Sequence, residues 1–127
     1  MSDTTTRGVR VEVRTAYVPE RSSPQDARYF FAYRIRIENV GDETVQLLSR
    51  HWVISDGAGN IEHVRGPGVV GEQPVLGPGE SFEYTSFCPL PTPIGSMHGT
   101  YQMVTAGGSA FEAEIAPFPL AVPTALN

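Results

Sequence analysis

Apolar and polar residues alternate along most of the chain with a period of two, the signature of strands that bury one face. Val9, Val11, Val13 and Tyr17 fall on one side of the first such run, and Arg10, Glu12 and Arg14 on the other. Residues 28–39 repeat the pattern, with Tyr29, Phe31, Tyr33, Ile35 and Ile37 facing in and Arg28, Arg34, Arg36 and Glu38 facing out. A third strand is expected over residues 44–55. Its Leu47-Leu48 pair breaks the alternation and predicts a bulge or burial on both faces. Shorter runs follow at 61–65, 81–88, 98–105 and 111–115. Phe82, Tyr84, Ser86 and Cys88 share one face of the 81–88 run.

Glycine, proline, asparagine and aspartate punctuate these runs at Asn39–Glu43, Asp56–Asn60, Gly66–Gly79 and Gly107-Gly108. Pro89-x-Pro-x-Pro93 removes three ladder donors, so it reads as a rigid crossover between sheets or as a polyproline ligand. No helical period of useful length and no internal repeat is present. About seven antiparallel strands at near-regular spacing predict an all-β sandwich of the fibronectin type III/immunoglobulin-like kind. The antibody Cys…Trp…Cys spacing is missing, because Trp52 has only Cys88 available. One domain over residues 1–127 is expected, with an ordered core at about 8–120, a polar N-terminal tail and a Pro-rich C-terminal tail.

Charge narrows the function classes. The net charge is −5, with nine Arg and no Lys. All nine Arg lie in residues 1–65 against nine acids, while residues 66–127 carry five Glu and no basic residue. That distribution is not a nucleic-acid footprint, nor that of a membrane-surface helix. No apolar run approaches a membrane span and no signal peptide is evident, so a cytoplasmic protein is expected. The single cysteine excludes an internal disulfide.

Candidate chemistry is sparse. Gly66-Pro-Gly-Val-Val-Gly71 matches G-x-G-x-x-G, but no helix follows to hold a pyrophosphate at its N-terminus. A lesser possibility is a nest in which Gly66, Gly68 and Gly71 present backbone amides to an anion, with Arg65 and His63 adding positive charge; the favoured alternative is that the glycines only shape a turn or a strand crossing. Arg50-His51-Trp52 is either a surface binding cluster or a core tryptophan with Arg50 and His51 on a solvated or partly covered face. His51, His63 and His98 have no metal-ligand spacing. Cys88 has no neighbouring base, so neither a catalytic set nor a cofactor is expected.

Several strings together resemble the ApaG family: Val45-Gln-Leu-Leu-Ser-Arg-His-Trp-Val-Ile54, Val64-Arg-Gly-Pro-Gly-Val-Val-Gly-Glu-Gln-Pro74, Pro78-Gly-Glu-Ser-Phe-Glu-Tyr-Thr-Ser86, Gly99-Thr-Tyr-Gln-Met103 and Ile115-Ala-Pro-Phe-Pro-Leu120. The resemblance runs from about residue 8 to residue 120. It implies a fibronectin type III-like sandwich in a small bacterial protein. Related domains in larger eukaryotic proteins look like protein-interaction modules. The resemblance also implies an association with cobalt resistance and magnesium efflux. Genes of the family often neighbour one for a diadenosine tetraphosphate hydrolase. In the family the glycine motif, here Gly66, Gly68 and Gly71, has been read as a phosphate-binding loop.

Three readings follow. One is a non-catalytic interaction domain with an unidentified protein partner and an exposed apolar patch involving Phe30, Phe87 or the C-terminal tail. The second is a pyrophosphate- or nucleotide-binding protein using Gly66–Gly71 and Arg65, with weak binding as an accompaniment to the first. The third, an enzyme or metal handler, needs His51, His63 and a carboxylate within a few ångströms.

Overall fold

The computed structural model describes residues 1–126; Asn127, included in the expected domain span, lies outside the described residues. Two antiparallel sheets face one another, as the alternation predicts. The strands are β1 (Ser2–Thr6), β2 (Val9–Tyr17), β3 (Tyr29–Asn39), β4 (Val45–Asp56), β5 (Ile61–Pro67), β6 (Val75–Leu76), β7 (Ser81–Leu90), β8 (Ile94–Thr105) and β9 (Ala110–Ala121). The first sheet has the order β1-β2-β3-β7 and the second β5-β4-β8-β9, with β6 also pairing with β4.

Nine strands replace the expected seven, and the two additions have plain causes. The polar N-terminal stretch is no tail among the described residues: Ser2–Thr6 pairs with Val9–Val13 through a tight Arg7-Gly8 turn, both residues at positive φ. A hydroxyl-rich segment carries no apolar period for a sequence reading to detect. Strand β6 is two residues long, too short for any period. The last strand also continues through Pro117 and Pro119 to Ala121, which an edge strand tolerates.

The core lies between the inner faces. Val9, Val11, Val13, Phe31, Ile35 and Ile37 of the first sheet pack on Leu47, Trp52, Met97, Tyr101, Ile115 and Phe118 of the second. Trp52 sits at the centre of an aromatic cluster, 5.4 Å from Tyr33 and 5.9 Å from Phe118 between ring centroids, both edge-on. Each such buried aromatic pair contributes about 0.5–1.5 kcal/mol beyond its burial. The buried hydroxyls of Tyr84 and Tyr101 satisfy each other at 2.5 Å.

The outer face of the first sheet engages several of the arginines. Arg10 pairs with Asp3 at 2.7 Å, Arg36 with Glu38 at 2.8 Å and with Glu12 at 3.4 Å, and Arg34 with Glu83 at 3.8 Å. These are exposed pairs, worth about 0–1 kcal/mol each, and they leave no basic stripe there.

The two long sides of the sandwich differ. On one side β1 and β2 pack against β9, and the edge amide of Glu114 donates to Thr6 Oγ1 at 3.1 Å. On the other side the edge strands β5 and β7 flank an opening between the sheets. The Pro-rich segment after β7 carries the chain from the first sheet to the second, as the crossover reading expects.

Candidate functional site

A bulge decides which side chains face that opening. Val45 and Leu47 of β4 point inward, and the register against β8 slips between Leu47 and Ser49. The extra residue, Leu48, reverses the parity of the strand. From there Arg50, Trp52 and Ile54 face in, and Ser49, His51 and Val53 face out. Trp52 is in the core, as the second alternative expects, but Arg50 and His51 do not share a face: Arg50 is on the inner side with Trp52, and His51 is on the outer side.

The opening holds a cavity of about 450 Å³. Its walls are Tyr33 and Cys88 from the first sheet and Trp52, Ile54 and Val64 from the second, with Arg50 and Glu62 at its borders. That volume lies in the range of ligand sites, and the mix of apolar walls with a few polar groups is typical of them. Cys88 is buried, and burial, together with the nearby Glu62 carboxylate, pushes its thiol up to about 11. A buried thiol of this kind packs as a small wall residue.

The expected patch at Phe30 and Phe87 adjoins this opening. The two rings stack at 5.5 Å between centroids on the outer face of the first sheet. Arg21 lies over both, 4.4 Å from the Phe30 centroid and 5.4 Å from that of Phe87. Phe87 remains 47% exposed.

The glycine loop is built around its own backbone. Pro67 has no N–H. The Gly68 amide donates to Leu48 O at 2.9 Å, and the Val69 amide to Glu72 O at 2.8 Å. Glu72 returns a bond to Val69 O at 2.9 Å, closing a two-residue turn over Val70 and Gly71, both at positive φ. A Cβ on Gly68 would stand 2.3 Å from Glu72 O, so only glycine fits. The Arg50 guanidinium donates to Pro67 O at 3.0 Å and Gly68 O at 2.9 Å, clamping the loop through its carbonyls. Among the described residues, no backbone carbonyl accepts from the Val70 or Gly71 amide. Gly66 lies within β5 opposite Arg50, and Arg65 opposite His51 on the outer face.

Two of the three histidines, His51 and His63, meet, although nothing in their spacing demands it; His98 lies on β8 opposite Val53. His51 and His63 are diagonal neighbours across the β4–β5 pair, His63 standing opposite Val53, with His51 Nε2 2.9 Å from His63 Nδ1. The ring centroids are 5.2 Å apart, close to that contact plus two ring radii, so the N–H and the lone pair lie in line. An in-line N–H···N bond uses one proton, and its lone pairs do not converge on a third point as a shared metal ion requires. Among the described residues, no three His, Cys, Asp or Glu side chains form a metal-holding group. Burial, then Arg65 and His63, hold His51 below the ordinary imidazole range. Next to the pair, Gln102 Nε2 donates to Glu112 Oε2 at 2.9 Å, and Ser49 Oγ donates to Gln102 Oε1 at 2.8 Å.

Comparison with known proteins decides the family. The ApaG domain (DUF525) profile matches residues 19–105. The chain belongs to the ApaG family. A Protein ApaG from Methylobacterium sp. (strain 4-46) is 62% identical over 118 residues, 93% of this chain and 91% of that protein. A Protein ApaG from Anaeromyxobacter dehalogenans (strain 2CP-C) is 57% identical over the whole of both chains. The ApaG sandwich is also the shape of a crystallised Bordetella pertussis protein named ApaA, at TM-score 0.89, 56% identity, 91% of this chain and 94% of that one. No helix among the described residues is long and apolar enough to cross a membrane. Within this ApaG chain, sequence reasoning located the glycine loop and the Phe30–Phe87 patch. It missed Arg50 and Glu62 as the charged borders of an opening, because their inward aim depends on the Leu48 bulge and on the β4–β5 register.

Proposed function

We propose that this ApaG-family chain is a non-catalytic binding module whose open β5–β7 side receives a protein partner. The observation that carries this reading is the asymmetry of the sandwich. One long side is sealed by β1, β2 and β9, while the other holds a cavity with largely apolar walls between two edge strands, each paired on one side only, next to the exposed Phe87. Edge strands with open ladder groups are sites where other chains add. The unreactive Cys88 and the in-line histidine pair favour binding over chemistry. The family's association with cobalt resistance and magnesium efflux then acts through the partner, not through a metal held by this chain.

The test is site-specific photo-crosslinking in the bacterium, with the reactive group at Phe87, at Ile61, or at Val40 as a control away from the opening. One partner band at Phe87 and Ile61, absent at Val40 and competed by unlabelled protein, is the expected result. Equal labelling at all three positions overturns the reading.

A second reading keeps the glycine loop as an accessory anion site, with Gly66, Gly68, Gly71 and Arg65 as its candidates. Its support is confined to the exposed turn at Val70 and Gly71, whose amides lack backbone acceptors among the described residues. The engaged amides of Gly68 and Val69 and the Arg50 clamp weigh against it. Titration with pyrophosphate checks it: saturable amide shifts limited to Val70 and Gly71 support the site, and shifts scattered over the arginines remove it.

A further inference from the structure

The open side is charged at both ends and apolar between them. Facing residues on β4 and β5 run in pairs with a period of two: Arg50 opposite Gly66, Trp52 opposite Val64, Ile54 opposite Glu62. Arg50 donates through one nitrogen to Pro67 O and Gly68 O. Among the described residues, no carboxylate lies within ion-pair distance of its guanidinium. Glu62, by the same measure, has no cationic partner. Arg50 and Glu62 border one cavity, uncompensated and opposite in sign, four residues apart along the strand, or roughly 13 Å at about 3.3 Å per residue. Asp56, which lines the same cavity past Ile54 and whose carboxylate accepts from Ala58 and Asn60, adds to the acidic end.

That spacing and polarity match an extended chain. In a strand, residues i, i+2 and i+4 share a face and span the same distance. β5 is an edge strand, so a strand added alongside it continues the second sheet and lays its inward side chains over the cavity. We propose that the opening binds an extended segment of the partner protein with the pattern basic–x–apolar–x–acidic, running in the same direction as β5. The basic side chain meets Glu62, the apolar one covers Trp52 and Val64, and the acidic one meets Arg50. This rests on the binding-module reading and names the segment that module takes. Main-chain bonds to β5 supply sequence-independent affinity, and the two charges and the apolar pocket supply selectivity.

The test uses the full chain and two blocked pentapeptides, acetyl-Lys-Thr-Leu-Thr-Glu-amide and acetyl-Glu-Thr-Leu-Thr-Glu-amide. Trp52 is the sole tryptophan, so its fluorescence reports the cavity directly, and the amides of Val64 and Cys88 report it by NMR. The Lys/Glu peptide is expected to bind saturably, and the Glu/Glu peptide about tenfold more weakly. Glu62→Lys is expected to reverse that order, which a misfolded chain cannot do, since it loses both. Glu62→Gln, of nearly the same shape, serves if the charge reversal unfolds the protein, and is expected to narrow the preference between the two peptides. No saturable response of Trp52 to the Lys/Glu peptide overturns the proposal, as does an unchanged preference in Glu62→Gln. A partner crosslinked at Phe87 and Ile61 alongside a failed titration removes the segment pattern and leaves the module reading. Failure of both experiments removes both.

Discussion

Two single residues test the view that this chain binds and does not catalyse. Cys88 is the only thiol, and burial, with the nearby Glu62 carboxylate, pushes it up to about 11, so the native protein holds very little thiolate near neutral pH. Ellman's reagent is expected to label the native protein at least about 100-fold more slowly than the urea-unfolded chain, where the thiol returns towards its ordinary pKa of about 8.5. Labelling at comparable rates in both states would mean that the cavity wall opens readily. His51 makes the opposite kind of prediction. Its folded-state pKa is depressed, so the unfolded chain takes up its proton first as pH falls. The stability this residue contributes is complete above its ordinary value of 6.5 and is lost as pH falls through the lower folded value. Removing the imidazole in His51→Gln is therefore expected to flatten the decline in thermal midpoint between about pH 7 and pH 5. An unaltered slope in thermal scans of the two proteins would place that pH dependence elsewhere.

At the scale of the elements, the turn after β5 carries a local conflict. Val70 sits at φ +43° in the left-handed region, where a β-branched side chain is strained by about 1–2 kcal/mol, and it is 57% exposed. Gly71 already supplies the second position of the turn. Val70→Asn creates the Asn-Gly pair that such turns prefer. It is expected to stabilise the fold by about 1 kcal/mol, raising the thermal midpoint by roughly 3 °C. A lower midpoint would mean that Val70 holds a contact the strain argument ignores. The same elements explain what was legible beforehand. Strands β2 and β3 were plain in the sequence because each alternates Val, Ile or aromatic residues with charges, and each buries only one face. Leu47-Leu48 announced a bulge but not its consequence, the parity reversal that sends Arg50 inward and His51 outward. His51 and His63 are twelve residues apart in sequence, and only the hairpin register joins them. The glycine motif was visible as a string. Its reason, the close approach of Gly68 to Glu72 O and the Arg50 clamp, is tertiary.

Taken whole, the molecule is a sandwich sealed along one side and open along the other, and the seal is made by the least conspicuous strand. Strand β1 is polar throughout, yet it pairs with β2, packs on β9 and accepts the Glu114 amide through Thr6. If that strand is what separates the closed side from the open one, removing residues 1–6 should act at a distance from the cavity. The truncated chain is expected to lose roughly 2 kcal/mol, since it gives up a five-residue ladder and the cover over the β2 edge. Hydrogen exchange separates this local opening from general weakening. In the parent, β5 amides are expected to exchange early, because most of that strand is exposed, while β9 amides stay protected. Truncation should speed exchange in β9 and in the newly exposed edge of β2, while peptide binding at β5 and the response of Trp52 persist. Loss of that binding together with faster exchange everywhere would mean that the two sides are not independent, and that β1 supports the open side as well as sealing the closed one.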